Sequence, residues 1–125
     1  MTHYRVRLGG GAMHAAACVR NGCIGVDFGL ASDLTGHLTD ELRPFNQQFV
    51  PILMQKFPKK TKVGGGLNRS SIWTVCKGIK VGDMVICPDG HGTFRVGEVA
   101  GGYSNHAEEP LPQRRPVRWL DRVIE

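Results

Sequence analysis

The 125-residue sequence is short of what a catalytic centre, a zinc site or a membrane span requires. Its four cysteines, Cys18, Cys23, Cys76 and Cys87, form no CxxC pair, and its five histidines fall at no zinc-ligand spacing. A structural zinc is therefore not indicated, and free thiols in a reducing cytoplasm suit the pattern best. No apolar run of ~18 residues and no signal-peptide core occurs, so neither membrane spanning nor secretion is indicated. Ser70 and Ser71 have no GxSxG elbow around them, and no acid pair stands at a defensible catalytic spacing. The glycine runs at 9–11 and 64–66 lack both the GxGxxG spacing and a GK[ST] ending, and they read as connections. The chain points away from an enzyme, and no cofactor is implied.

What is present suits one domain, residues 1–125, with a modest core. Seventeen glycines imply many turns and short elements. Tyr4 to Leu8 alternates as a strand with Tyr4, Val6 and Leu8 inward. Met13 to Val19 favours helix, Asn21-Gly22 stops it, and Cys23 to Phe28 reads as a second strand set beside the first. Thr39 looks like the N-cap of a helix carrying Leu42, Phe45 and Phe49, which Pro51 should kink or divide. Asn68 caps a further expected helix from Arg69 to Lys77. Val81-Gly82-Asp83 is a turn, and Met84 to Cys87 and Thr93 to Ala100 make a hairpin around Asp89-Gly90, a dipeptide that suits two-residue turns. Phe94 and Val96 face one way there, and Arg95 the other. Ser104 to Gln113 reads as loop. Arg114 to Ile124 reads as a last strand with Val117 and Trp119 on one face. These elements make an α+β domain on a small curved sheet or barrel, flanked by two or three helices. The end at Glu125, straight after a strand, suits a module from a longer chain.

The formal charge of +5 favours an anionic partner. Lys59, Lys60, Lys62 and Arg69 cluster in one part of the chain, and Arg114 and Arg115 stand in another. Two such groups can flank one groove and hold phosphates, or they are simply a solvated surface. Phe28, Trp73 and Tyr103 each sit near the end of an element. Brought together, they would sandwich a flat base, with Asp27, Asp33, Asn68, Ser70 or Ser71 bonding its edge. Taken singly, each ring is ordinary packing.

Gly82-Asp83-Met84-Val85 and Gly92-Thr93-Phe94-Arg95-Val96-Gly97-Glu98-Val99 resemble the GD-x-V and G-x-F-x-V-G-x-V pattern of PUA-like domains. The likeness is nearest the EVE and YTH branches. Gln113 to Leu120, QRRPVRWL, is similar to the closing H-x-R-x-V-x-W-L strand of such modules at the head of Mrr-like and McrB-like restriction endonucleases. The resemblance covers nearly the whole chain and implies a DNA-binding reader of modified bases. It implies a methylated base flipped out of double-stranded DNA into a pocket walled by Asp27, Phe28, the 68–73 segment and Tyr103. It also implies a nuclease or ATPase domain in the same parent chain. Related modules often carry Trp where this chain has Asp27-Phe28, which implies a differently built cage. A modified-RNA reader and a protein-interaction domain are the alternatives.

Overall fold

The computed structural model describes residues 2–27, 32–56 and 72–125. Its strands are β1 (His3–Arg5), β2 (Cys23–Val26), β3 (Met84–Pro88), β4 (Phe94–Val99), β5 (Ser104–Asn105) and β6 (Gln113–Ile124). The helices are α1 (Ala15–Asn21) and α2 (Leu42–Lys56), and a π-helical segment spans Thr74–Gly78. The strands form a curled, half-barrel mixed sheet in the order β1-β3-β4-β6-β2, with β5 also on β6. β1 runs parallel to β3, and the other pairs are antiparallel. This is a small α+β fold.

β6 holds the sheet together because it is long enough to serve two sets of partners. Its first residues pair with β2 and β5, Gln113 lying opposite both Val26 and Asn105. Its later residues pair with β4, Ile124 lying opposite Phe94. The expectation that β1 and β2 lie side by side is wrong: they stand at opposite ends of the strand order. The partners that separate them, β3 and β6, come from far along the chain, and no local pattern reveals such pairings. The segment expected to be loop before the last strand also contains β5.

Other boundaries shift for local reasons. Thr39 does not cap α2, which begins at Leu42; the Thr39 hydroxyl instead donates to the carbonyl of Glu41 at 2.7 Å. Capping at Thr39 would have put Pro44 where a helical N–H is needed, whereas a start at Leu42 puts it in the first turn, where none is. Pro51 lies inside one continuous helix rather than dividing it. The expected 69–77 helix is described only from Ile72, and it widens into the π-helical segment, closed by the Ile79 N–H on the Thr74 carbonyl at 2.8 Å. The hairpin turn is longer than two residues: the Asp89 N–H meets the Thr93 carbonyl at 3.1 Å, enclosing Gly90, His91 and Gly92. Both glycines there have φ of 84°, a region costly for other residues.

The core gathers Leu8, Ile24, Phe45, Ile72, Val85 and Val99, all fully buried. Phe45 and Phe49 pack with ring centroids 4.5 Å apart. In β4, alternation sets Phe94, Val96 and Glu98 on one face and Arg95, Gly97 and Val99 on the other. The second face meets β6 so closely that a Cβ at Gly97 would lie 2.4 Å from Val117 Cγ1.

Asp83 ties the start of the chain to the turn before β3. Its carboxylate accepts the Lys80 N–H at 2.9 Å and the Thr2 N–H at 3.1 Å. Those bonds, Lys80 first, hold its pKa below the ordinary carboxylate value. A depressed folded-state pKa stabilises the fold above about pH 4 and loses that effect as pH falls through the folded value. Asp83→Asn is therefore expected to lower Tm at pH 7 and to flatten its decline on acidification. A variant with the unchanged acid slope would count against this role.

Candidate functional site

The polar residues of the fold converge on Tyr103, just before β5. Gln113 is fully buried at the head of β6. Its Nε2 donates to the carbonyl of Ser32 at 2.7 Å, which orients the amide and leaves Oε1 as acceptor. Oε1 takes the Tyr103 hydroxyl proton and an Asn105 Nδ2–H at 3.2 Å. The Tyr103 oxygen in turn accepts the Leu34 N–H at 2.9 Å. The head of β6 and the residue before β5 thus grip the backbone at 32–34. Burial raises the Tyr103 pKa above its ordinary value, so the ring stays a neutral phenol and keeps its proton for Gln113.

The far end of the same segment is held by the second ring. Trp73, half-buried, donates its indole N–H to the Thr39 carbonyl at 2.9 Å. Gly78 lies against its six-membered ring, where a Cβ would come within 2.9 Å of Cζ3. Lys77 pairs with Asp40 at 3.3 Å alongside. Leu38 and Tyr103 border a cleft of about 320 Å³ whose lining includes Lys77 and Lys80. That volume is at the small end for ligand sites and suits a single heterocycle better than a larger ligand.

The structure sorts the expected site residues unevenly. Tyr103, Asp33 and Trp73 come to the one 32–40 segment. Asp33 Oδ1 lies 3.5 Å from the Tyr103 hydroxyl, but its main partners are the Thr35 hydroxyl at 2.7 Å and the Thr35 N–H at 2.9 Å. These bonds, the Thr35 hydroxyl first, lower its pKa, and the carboxylate is exposed and charged. Asp27 is separate: it lines another cleft, of about 370 Å³, with Arg7, His14 and Leu111. Phe28, Asn68, Ser70 and Ser71 lie outside the described residues, as do Lys59, Lys60, Lys62 and Arg69.

Arg115 requires a correction. It was expected to meet phosphate, yet it is buried, with its Nε on the Gly101 carbonyl at 2.8 Å. Its Nη1 donates to the carbonyls of Val75 at 3.1 Å and Ile79 at 2.6 Å. The π-helical turn leaves carbonyls without the usual helical donors, since the Lys80 N–H goes to Asp83. A cation at that end of a helix also suits its dipole. Arg115 is thus committed to the fold. Arg114 is half-buried, with Nε on the Leu111 carbonyl at 2.7 Å and Nη2 3.9 Å from Glu109.

Sequence reasoning missed Gln113, Lys77, Lys80 and the Ser32 and Thr39 carbonyls. For Gln113 a signal existed. If Val117 and Trp119 share the inward face of β6, period-two alternation puts Gln113 and Arg115 on that face as well. The carbonyls carried no signal, because any residue supplies one. Among the described residues, no group of three or more His, Cys, Asp and Glu could hold a metal ion. None of the described helices is long and apolar enough to cross a membrane.

A family model described as "Domain of unknown function (DUF8426)" matches residues 4–125, and the chain belongs to that family. No curated protein and no solved structure gives a significant match.

Proposed function

We propose that this DUF8426 domain is a PUA-like reader, nearest the EVE and YTH branches, that holds one modified base of double-stranded DNA. In this reading a flipped methylated base enters beside Tyr103 and Trp73, and the domain directs a nuclease or ATPase in the same parent chain. The observation that supports it most is the shared anchorage of the two rings. Both are hydrogen-bonded to the 32–39 segment, and Tyr103 borders a base-sized cleft whose lining includes two lysines. An aromatic ring that already has its polar group satisfied offers its face to a base at little ordering cost. In this reading Lys80, and Lys77 if it leaves Asp40, would meet the flanking phosphates, a role that Arg115 does not fill.

The test is a pair of duplexes that differ by one methylated base. The domain should prefer the modified duplex, and Trp73→Ala and Tyr103→Ala, each confirmed folded by circular dichroism, should remove the preference. Loss of a stacking partner worth about 1–3 kcal/mol predicts affinity falling by roughly 5- to 150-fold. Lys80→Gln should make the slope of log K against log salt shallower by about one unit for both duplexes. Equal binding of the two duplexes would overturn base recognition. Preference for the same mark in single-stranded RNA would move the reading to an RNA reader.

A further inference from the structure

Arg5 and Arg7 stand on the face of the first strand that is turned away from the core. Val6 and Leu8 belong to the core cluster and Tyr4 packs against it, so alternation leaves Arg5 and Arg7 exposed. The ladder continues past β1, because the Val6 N–H meets the Ile86 carbonyl at 3.1 Å. The Cα atoms of the two arginines are therefore about 6–7 Å apart along one extended backbone. Both line a cleft of about 380 Å³ whose other walls are Gly11, Ala12, Pro88 and Gly90. None of these six residues borders the Tyr103 cleft.

The cleft exists where the 9–12 turn meets the β3–β4 hairpin. A Cβ on Gly90 would lie 3.4 Å from the Gly11 carbonyl oxygen and 3.6 Å from Ala12 Cβ. Ala12 is held at φ 60°, an uncommon conformation outside glycine, and its N–H goes to the Gly9 carbonyl at 3.1 Å. That turn thus contributes shape, and the arginines contribute charge. Arg5 is also pre-oriented: its side chain crosses β3 to put Cζ 5.2 Å from the centre of the Phe94 ring on β4. Among the described residues, neither arginine forms an ion pair. Asp89, between the wall residues Pro88 and Gly90, is occupied within its own turn, accepting the His91 N–H at 2.7 Å and the Thr93 hydroxyl. Asp27 lines the adjoining cleft, which Arg7 also borders. Two such guanidiniums on the wall of one concavity make a receptor for an anion, and the donor fork of each matches the oxygens of a phosphate.

We propose that this cleft is a second phosphate site, which holds the backbone of a DNA duplex away from the base that enters beside Tyr103. The inference rests on the proposed DNA binding and adds a contact that does not depend on the base. The first strand joins the two places. Its start is tied to Lys80, since Asp83 accepts both the Lys80 and the Thr2 N–H. Arg7 lies about 16 Å further along the extended chain, which is the axial rise of roughly five base pairs. One duplex lying along β1 can therefore meet Lys80 near one end and Arg5 and Arg7 near the other. Exposed charges hold a lone small anion weakly, whereas a polymer already bound elsewhere presents its phosphates at high effective concentration.

Binding of the unmodified and the methylated duplex across a salt series, by wild type, Arg5→Gln, Arg7→Gln and the double variant, tests this, with each protein confirmed folded by circular dichroism. Each single change should make the slope of log K against log salt shallower by about one unit, and the double change by about two. Both duplexes should weaken by the same factor, so that their ratio is kept. Arg20→Gln removes the same charge from α1, outside the cleft, and should keep the wild-type slope. A wild-type slope in the Arg5 and Arg7 variants would overturn the proposal, and so would an equal loss in Arg20→Gln, which would make net charge the cause. If wild type binds both duplexes equally, the base reading fails, while the slopes still decide this inference. Amide NMR titration with inorganic phosphate separates the ion from the polymer. Phosphate shifts at Gly11, Ala12 and Gly90, with DNA slopes unchanged in the variants, would assign the cleft to free phosphate and overturn the backbone assignment.

Discussion

Arg115→Ala is expected to destabilise the domain by about 3–5 kcal/mol, because removing one guanidinium leaves three carbonyls in the fold without their donor. Against a total stability of about 5–15 kcal/mol, that is a large fraction. Thermal unfolding should move down by roughly 10–20 °C for a chain of this size. Arg115→Lys should recover part of the loss only, since a single ammonium cannot reach Gly101 on one side and Val75 and Ile79 on the other. The burial that makes the residue structural also lowers its pKa, with Cys76 and Asp83 acting in the opposite sense. A second measurement separates the fold role from a phosphate role. Folded Arg115→Lys should keep the wild-type salt dependence of DNA binding, whereas Lys80→Gln should not. A stability change within about 0.5 kcal/mol for Arg115→Ala, the range of ordinary surface substitutions, would refute the structural assignment.

Gln113→Leu should be the second most damaging substitution, at about 2–4 kcal/mol. Leucine fills a similar volume but strands the Ser32 carbonyl, the Tyr103 hydroxyl and the Asn105 amide. Tyr103→Phe removes the acceptor of the Leu34 N–H and should cost about 1–3 kcal/mol. The two changes break a shared bond, so the double variant should fall short of the sum by about 1 kcal/mol or more. Denaturant titrations of the four proteins measure that coupling, and strict additivity would show that the network is not connected. Hydrogen exchange at the Leu34 amide offers a local readout. It should quicken in both single variants while core amides of β3 hold, if the 32–34 segment opens separately from the sheet.

Much of the local structure could be read from residue pattern. The β3–β4 hairpin, the Gly82 turn with its φ of 95°, the α1 stop at Gly22 and the burial of Phe45 and Phe49 all follow from side-chain periodicity and glycine stereochemistry. Arg115 was legible too, by its place in alternation with Val117, but its position in a basic cluster suggested surface. A charge pattern says how many cations are present, and only burial says which of them have already spent their hydrogen bonds. Asp27 illustrates the converse. It directly precedes Phe28 and falls where the PUA-like resemblance puts a pocket wall, yet it borders a different cleft from Tyr103.

By itself, the sequence determined a small α+β domain with glycine-rich turns, a strand hairpin from Met84 to Val99 and a net positive charge. Those properties depend on neighbours within a few residues, where φ preference and alternation act. Tertiary structure alone decided that β1 and β2 lie at opposite ends of the strand order and that β6 joins both halves of the sheet. It also decided that Trp73 and Tyr103, thirty residues apart, hold one segment through the Thr39 carbonyl and the Leu34 N–H. The physical reason is that these links run through backbone polar groups and long-range strand pairing. Every residue but proline carries the same donor and acceptor, so the identity of a residue does not reveal which partner its backbone will find.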